Sequence, residues 1–376
     1  MKNLLSSLLF ASFLIFNFSY CDSDEIEINN TSDFEEFLAG EMDQQKIPAM
    51  SVLIFNEDEI LQEDYLGQSN IRQNAALRSD DLFLLASVSK VVTATALLQL
   101  QEDGRLELDD DINSFLPYTV NVPDQSTNIT FRQLLTHTSG IADSDALDGQ
   151  YYFNEDSPVA LGAFIQDYLS TSGNLYDASE NFHNFAPGSQ YEYSNVGNAL
   201  IGVLVEQISG LDFNTYCKQN IFAPLGMTNT FWRLDEISGT IVTPYDFVNG
   251  ENEPIRQYTF TDYPNGGLRS TASDLSKFFR AFIREGQTNG VELLEAATIE
   301  AMLTPQIPSI NNGVGLHLFV MDSAHNLWGH DGGEQGVATI VGFNVDTKVG
   351  VIALTNQGEA KLEEVLAQAY KYGLTL

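Results

Sequence analysis

Hydrophobic and polar positions change their spacing several times along this chain, and the changes mark its elements. Residues 49–67, AMSVLIFNEDEILQEDYLG, form two apolar runs on either side of Asn56-Glu57-Asp58, which predicts two strands and a turn. Residues 81–104, DLFLLASVSKVVTATALLQLQEDG, begin as a short strand-like run. From Val88 they take on the apolar density of a buried helix, with Gly104 as its stop. Helical spacing recurs in FRQLLTHTSG after Thr130, in SPVALGAFIQDYLS, and in VGNALIGVLVEQISG, which ends at Gly210. DFNTYCKQNIFAPLG predicts a helix broken by Pro224, and TASDLSKFFRAFIREG one capped at Thr271. Near the N-terminus, Thr31-Ser32-Asp33 is a capping signal for FEEFLAGEMDQQ.

Strand-like runs return late, in NGVGLHLFVMD, HNLWGH and QGVATIVGFNVDTKVGVIALTNQ, before a closing helix in EAKLEEVLAQAYKYGL. The order predicts a mainly antiparallel sheet built from both ends of the chain, flanked by helices, with an all-helical region inserted between. The expected division is an α/β domain from residues 32–105 and 265–376, and a helical domain over 106–264.

The leading residues predict something other than fold. Met1-Lys2 precedes an apolar run to Tyr20, which reads as an export signal over residues 1–20 and is short for a retained anchor. Cys21 follows directly and opens an acidic linker, residues 21–31, as at a bacterial lipoprotein processing point. The expectation is therefore an exported protein, a periplasmic, outer-membrane or cell-surface lipoprotein of a Gram-negative bacterium, with Cys21 lipidated and membrane-anchoring. Phe18-Ser19-Tyr20 departs from the small residue usual before such a cysteine. The other cysteine, Cys217, then stands as a lone buried thiol.

With 376 residues and 43% hydrophobic content, the chain can bury a large core. Seventeen Lys+Arg against 52 Asp+Glu give a formal net charge of -35, which repels nucleic acid and anionic lipid. The same excess also reads simply as a solvated acidic surface. No Cys/His cluster has metal-ligand spacing, so no metal or organic cofactor is implied.

Three short segments carry candidate chemistry. Ser87 and Lys90 stand one helical turn apart, which places the amine on the face of the hydroxyl near a helix N-terminus. The neighbours of Lys90 in sequence are apolar, and desolvation lowers a lysine pKa toward that of a useful base. Alone, the pair also fits a capping serine beside a surface lysine. Tyr193-Ser194-Asn195 precedes the helix ending at Gly210. A tyrosine there can act as general acid or base, and Asn195 can orient a substrate carbonyl or Lys90; a core tyrosine beside a helix cap fits as well. In Gly329-His330-Asp331-Gly332-Gly333, the glycines permit close approach of a strand to a ligand. Gly333 N–H can join Ser87 N–H in holding an oxyanion, and a tight turn is the alternative.

In this order, Ser87-x-x-Lys90, Tyr193-x-Asn195 and Gly329-His330-Asp331-Gly332 resemble the serine beta-lactamase and penicillin-binding-protein-like superfamily. The branch is that of class C beta-lactamases, D-alanyl-D-alanine carboxypeptidases, D-aminopeptidases and related esterases. LLTHTSGI at 134–141, FAPLGMTNT at 222–230 and NGGLRSTASDL at 265–275 extend the likeness, which spans roughly residues 32–358. It implies the beta-lactamase/transpeptidase-like fold, a site between the two domains, and acylation of Ser87 followed by hydrolysis. It also implies a structural role for His137, while Arg269 and Ser270, which follow Gly266-Gly267, read as loop-anchoring residues.

The resemblance has a departure. Class C beta-lactamases carry Lys-Thr-Gly where this chain has His330-Asp331-Gly332, so the hydroxyl that helps hold a substrate carboxylate is replaced by an acid. If Asp331 points into the site it repels a carboxylate by on the order of 1–4 kcal/mol. If it alternates away along the strand, only His330 faces the substrate. Both orientations stay open in the sequence. The expected activity is a serine hydrolase acting on small esters, amides or peptides. The alternatives are a D-alanyl-D-alanine carboxypeptidase or class C-like beta-lactamase, and a non-catalytic penicillin-binding or sensor protein.

Overall fold

The two apolar runs at residues 49–67 fold into strands β1 (Ala49–Asn56) and β2 (Ile60–Asn70), with Asn56 Oδ1 accepting from the N–H groups of Asp58 and Glu59 to close the turn. In the computed structural model, which describes residues 27–288 and 290–376, these strands join β3 (Ala75–Ala76) and four late strands. The late strands are β4 (Phe319–Asp322), β5 (Leu327–Glu334), β6 (Val337–Asn344) and β7 (Val349–Thr355). Together they make a seven-stranded sheet in the order β4-β5-β6-β7-β1-β2-β3. Each neighbouring pair is antiparallel. The N-terminal hairpin docks on the C-terminal strands because β1 pairs with β7, from Met50 opposite Thr355 to Asn56 opposite Val349. The expected signal over residues 1–20 and Cys21 lie outside the described residues.

Alternation along β1 sorts its side chains onto two faces. Met50, Val52 and Ile54 pack with helices α1 (Thr31–Gln45) and α7 (Glu363–Gly373) on one face. Leu53 and Phe55 join the larger core on the other. That core holds α2 (Ser89–Glu102), buried almost all round, as its unbroken apolar sequence requires. Beyond α2 stand α3 (Phe131–Leu135), α4 (Leu161–Leu169) and α5 (Asn195–Ser209), and α6 (Ala272–Ile283) returns to the sheet. Thr130 and Gln133 form a reciprocal capping box on α3, and Gly210, in the left-handed region, ends α5.

Several local expectations are corrected. The cap of α1 is Asn30, whose side chain accepts from Asp33 N–H, because Thr31 to Asp33 are already helical. Pro224 does not break its helix: residues 213–225 run on through a wide turn at Lys218–Phe222, and the proline sits in the first turn of Ala223–Leu225, where no N–H is needed. The strand expected from residue 312 begins only at Phe319, since His317 takes a left-handed conformation, φ 53, that interrupts it. The helix Ala296–Met302 carried no signal strong enough to be expected.

Candidate active site

Ser87 does not lie within the long helix itself. It occupies a tight 3₁₀ turn, Ala86–Val88, that leads into α2 one residue later. The turn is held at a strained residue: Ala86 has φ 48, the left-handed region a Cβ disfavours. Two side-chain bonds fix the surroundings. Thr339 Oγ1 on β6 donates to Leu85 O at 2.8 Å, and Leu268 N–H donates to Ser89 Oγ at 3.2 Å. Strand β5 presses on the same turn. A Cβ on Gly332 would lie 3.0 Å from Ser87 N and 2.6 Å from Leu85 O, so only glycine lets strand and turn meet. Gly333, next along, has open space beside it.

Helix geometry carries Lys90 back over Ser87, and its Nζ is 3.0 Å from Ser87 Oγ. The amine also donates to Asn195 Oδ1 at 2.8 Å and to Asn265 O at 2.6 Å. Lys90 is fully buried, and that desolvation lowers its pKa from 10.5 to about 7. The apolar neighbours in sequence are only part of its setting. The charges of Asp143, Asp262, Glu334 and Asp331, on other elements, act to raise the pKa, yet burial outweighs them.

Tyr193 lies over the amine, with Lys90 Nζ 4.9 Å from its ring centroid, and hydrogen-bonds Ser87. Burial pushes its phenol well above 10, so Tyr193 is neutral at neutral pH. Asn195 opens α5, after Ser194 has capped the helix through Gly197 N–H. Its Oδ1 faces Lys90 while its Nδ2 donates to Asp143 Oδ2 at 2.9 Å, so its amide orients the lysine.

His330 and Asp331 occupy opposite faces of β5. His330 pairs with Val341, of the larger core, and Asp331 with Ile340, which faces α1 and α7. Gly332 shares the His330 face and touches the Ser87 turn, whereas Asp331 turns away from it with its side chain 50% exposed. His330 is no substitute for a cation. Its Nδ1–H donates to Asp331 O at 2.5 Å, and burial, with Lys90 nearby, lowers its pKa to about 3.

Some neighbours of the site come from outside the three motifs. His137, read there as structural, stacks on Tyr193 with centroids 4.2 Å apart, and its Nδ1 accepts from Ser194 N–H. His317 packs edge-on against His137 at 4.7 Å. Burial keeps both imidazoles well below their usual pKa, so Tyr193 rests on neutral rings. Asp143 and Asp262 lie just outside the segments singled out in the sequence, and only the fold brings them to Lys90. Arg269 is buried and donates to Gly267 O and Tyr258 O, anchoring the loop before α6. Cys217 is a buried free thiol whose pKa burial raises.

A family model described as Beta-lactamase matches residues 34–373. The chain is 27% identical over 343 residues to Penicillin-binding protein 4* of Bacillus subtilis, covering 86% of this chain and 71% of that protein. It is 29% identical over 249 residues to Protein flp of Staphylococcus aureus, covering 64% of this chain but only 46% of that protein. Among solved structures, the penicillin binding protein from Bacillus halodurans superposes with a TM-score of 0.72 at 24% identity, covering 91% of this chain and 99% of that one. These relatives overturn the expected location. Bacillus and Staphylococcus are Gram-positive and lack a periplasm, which conflicts with a Gram-negative periplasmic or outer-membrane lipoprotein.

Proposed function

Since this chain belongs to the beta-lactamase and penicillin-binding-protein-like superfamily of hydrolases, in its class C beta-lactamase/carboxypeptidase branch, we propose that it is a serine hydrolase working through a Ser87 acyl-enzyme on small esters, amides or peptides. The observation that carries the reading is the 3.0 Å contact between Ser87 Oγ and a fully buried Lys90. With a pKa of about 7, a large share of Lys90 is the free amine at neutral pH. That amine takes the Ser87 proton as Oγ attacks the substrate carbonyl. Charge on the carbonyl oxygen falls between the N–H groups of Ser87 and Gly333, at the junction of the strained turn and β5. Tyr193, protonated over the same pH range, donates to the departing oxygen or nitrogen. The tyrosinate left behind recovers a proton from the Lys90 ammonium, so that Lys90 is again a free amine. When water attacks the acyl-enzyme, Lys90 accepts the water proton and passes it to Ser87 Oγ as the acid product leaves.

The surroundings favour neutral or cationic substrates. The cation acting on Asp262 and on Glu334, which shares the His330 face of β5, is Lys90, and His330 is neutral. A substrate carboxylate therefore meets acids without the positive charge that binding it requires. An ester, or an amide bearing a free amine, suits the site better. A second reading, D-alanyl-D-alanine carboxypeptidase or class C-like beta-lactamase, draws support from the likeness to Penicillin-binding protein 4* and from the outward turn of Asp331.

A panel of p-nitrophenyl acetate and butyrate, D-amino-acid amides, D-Ala-D-Ala peptides and nitrocefin, run with wild type and Ser87→Ala, separates these readings. The expected result is turnover of esters or amides above that of nitrocefin, abolished in Ser87→Ala. An unchanged rate in Ser87→Ala sinks the assignment. Failure of wild type to label with a fluorophosphonate would point instead to a non-catalytic binding or sensor protein.

A further inference from the structure

We propose that Asp143 and Asp262 are positioning residues that aim Lys90 and set its charge state through two asparagines, Asn195 and Asn265. The inference rests on reading Lys90 as the base. Besides Ser87, the amine meets two oxygens, Asn195 Oδ1 and Asn265 O, which approach from separate elements. Each of these asparagines is held by its own aspartate.

Asp143 lies 52 residues before Asn195 and gathers four donors at the start of α5. Its Oδ2 accepts from Asn195 N–H and Asn195 Nδ2, both at 2.9 Å. Its Oδ1 accepts from Val196 N–H at 3.0 Å and Ser194 Oγ at 3.2 Å. A carboxylate only accepts, so it draws the NH₂ of the Asn195 amide to itself and leaves the oxygen facing Lys90. With Asp143 absent, nothing on that side prevents the amide from reversing and offering Lys90 a donor.

Asp262 does the same on the other side through the backbone. Its Oδ2 accepts from Asn265 Nδ2 at 2.6 Å, and its carbonyl accepts from the same nitrogen at 2.7 Å. The bracket closes residues 262–265 into a 3₁₀ turn that projects Asn265 O at the amine. Thr93 and Asn198 each donate to Pro264 O, which ties the turn to α2 and α5. Asp262 is itself buried, 5% exposed, so its charge acts on Lys90 with little screening from solvent.

The charged and titratable groups around Lys90 divide by sign of effect. Asp143 and Asp262 act most strongly to keep it protonated, followed by Glu334 and Asp331 on β5. His330 on β5 opposes them weakly if charged, and with His137 and His317 it stays neutral through burial. Tyr193 is neutral as well. The pKa of Asp262 is raised to about 7 by burial and drawn down by Lys90, so each partner favours the ionised form of the other. Without the two aspartates, desolvation would act on Lys90 less opposed. The amine would be freer of its proton but also weaker as a base and less well aimed.

The test uses the intact protein labelled with isotopic lysine, with the Lys90 signal assigned by its loss in Lys90→Arg. The pH titration of that signal in wild type is compared with Asp143→Asn and Asp262→Asn, alongside the pH profile of kcat/KM for p-nitrophenyl acetate. We expect the Lys90 midpoint to fall by on the order of one unit in each variant. The acidic limb of kcat/KM should move down with it, while the plateau drops by about tenfold or more. A midpoint that stays in place, with activity lost evenly at every pH, overturns the role of the aspartate replaced. If Asp143→Asn does not fold, Asp143→Ser, which retains an acceptor oxygen but no charge, takes its place. The titration needs no turnover, so it still decides the matter if Ser87 proves not to be the nucleophile.

Discussion

A buried lysine held next to a serine hydroxyl lowers the stability of the protein that contains it, and the effect has a defined pH window. Lys90 has a pKa of about 7 in the folded chain against an ordinary 10.5. As pH falls from 10.5 toward 7, the unfolded chain binds a proton at this residue while the folded chain does not, so the folded state loses ground. Below about 7 both states are protonated and the loss is complete. A Lys90→Met variant escapes it. The difference in thermal midpoint, Lys90→Met minus wild type, should therefore grow between pH 10 and pH 7, by an amount equivalent to a few kcal/mol, and level off below. A difference independent of pH would mean that Lys90 keeps its charge in the folded protein. Little of this setting was legible in sequence. Ser87, Lys90, Tyr193 and Asn195 stood out because the proposed chemistry uses those residue types, paired at short spacing in Ser87-x-x-Lys90 and Tyr193-x-Asn195. Asp143, Asp262 and His317 did not, because only the fold brings Asp143 to Asn195, Asp262 to Lys90 and His317 to His137.

Elements were legible where one face is apolar and the ends carry caps. Residues 195–209, with Ser194 before and Gly210 after, meet both conditions, and so does the Thr130 capping box. Elements failed to declare themselves where a single residue overrides the pattern. His317 stops a strand by taking a left-handed conformation, and Asn30 caps a helix one residue ahead of the expected signal. Strand β5 tests how far such local detail governs the site. Gly332 has no room for a Cβ, since Thr339 Oγ1 would lie 2.5 Å away and Leu85 O 2.6 Å away, whereas nothing lies within 4 Å of the corresponding point at Gly333. Gly332→Ala should push β5 from the Ser87 turn and lower kcat/KM by on the order of 10- to 100-fold, with a reduced thermal midpoint. Gly333→Ala should fold with a midpoint close to wild type. Equal midpoints and rates for the two variants would show that β5 does not press on the turn in solution.

Across the whole molecule the fold was readable because both ends of the chain contribute apolar strands to one sheet, and β1 against β7 joins them into a single scaffold. The net charge of -35 was equally plain, but its consequence depends on where the acids stand. Four of them, Asp143, Asp262, Asp331 and Glu334, act on the site through Lys90. The long-range field and the local acids therefore have the same sign, and both concentrate cations and exclude anions near Ser87. Two p-nitrophenyl esters of equal chain length, one ending in an ammonium group and the other in a carboxylate, should be separated by kcat/KM in favour of the cation at low ionic strength. The field component of that preference is screened over about 10 Å at 0.1 M salt and about 3 Å at 1 M, so the ratio should fall as salt is added. What remains at high salt measures the buried acids, which screening reaches poorly, and it should shrink further in Asp262→Asn. A ratio near one at low salt, or one favouring the carboxylate, would place a cation in the binding cleft and return the carboxypeptidase reading to first place.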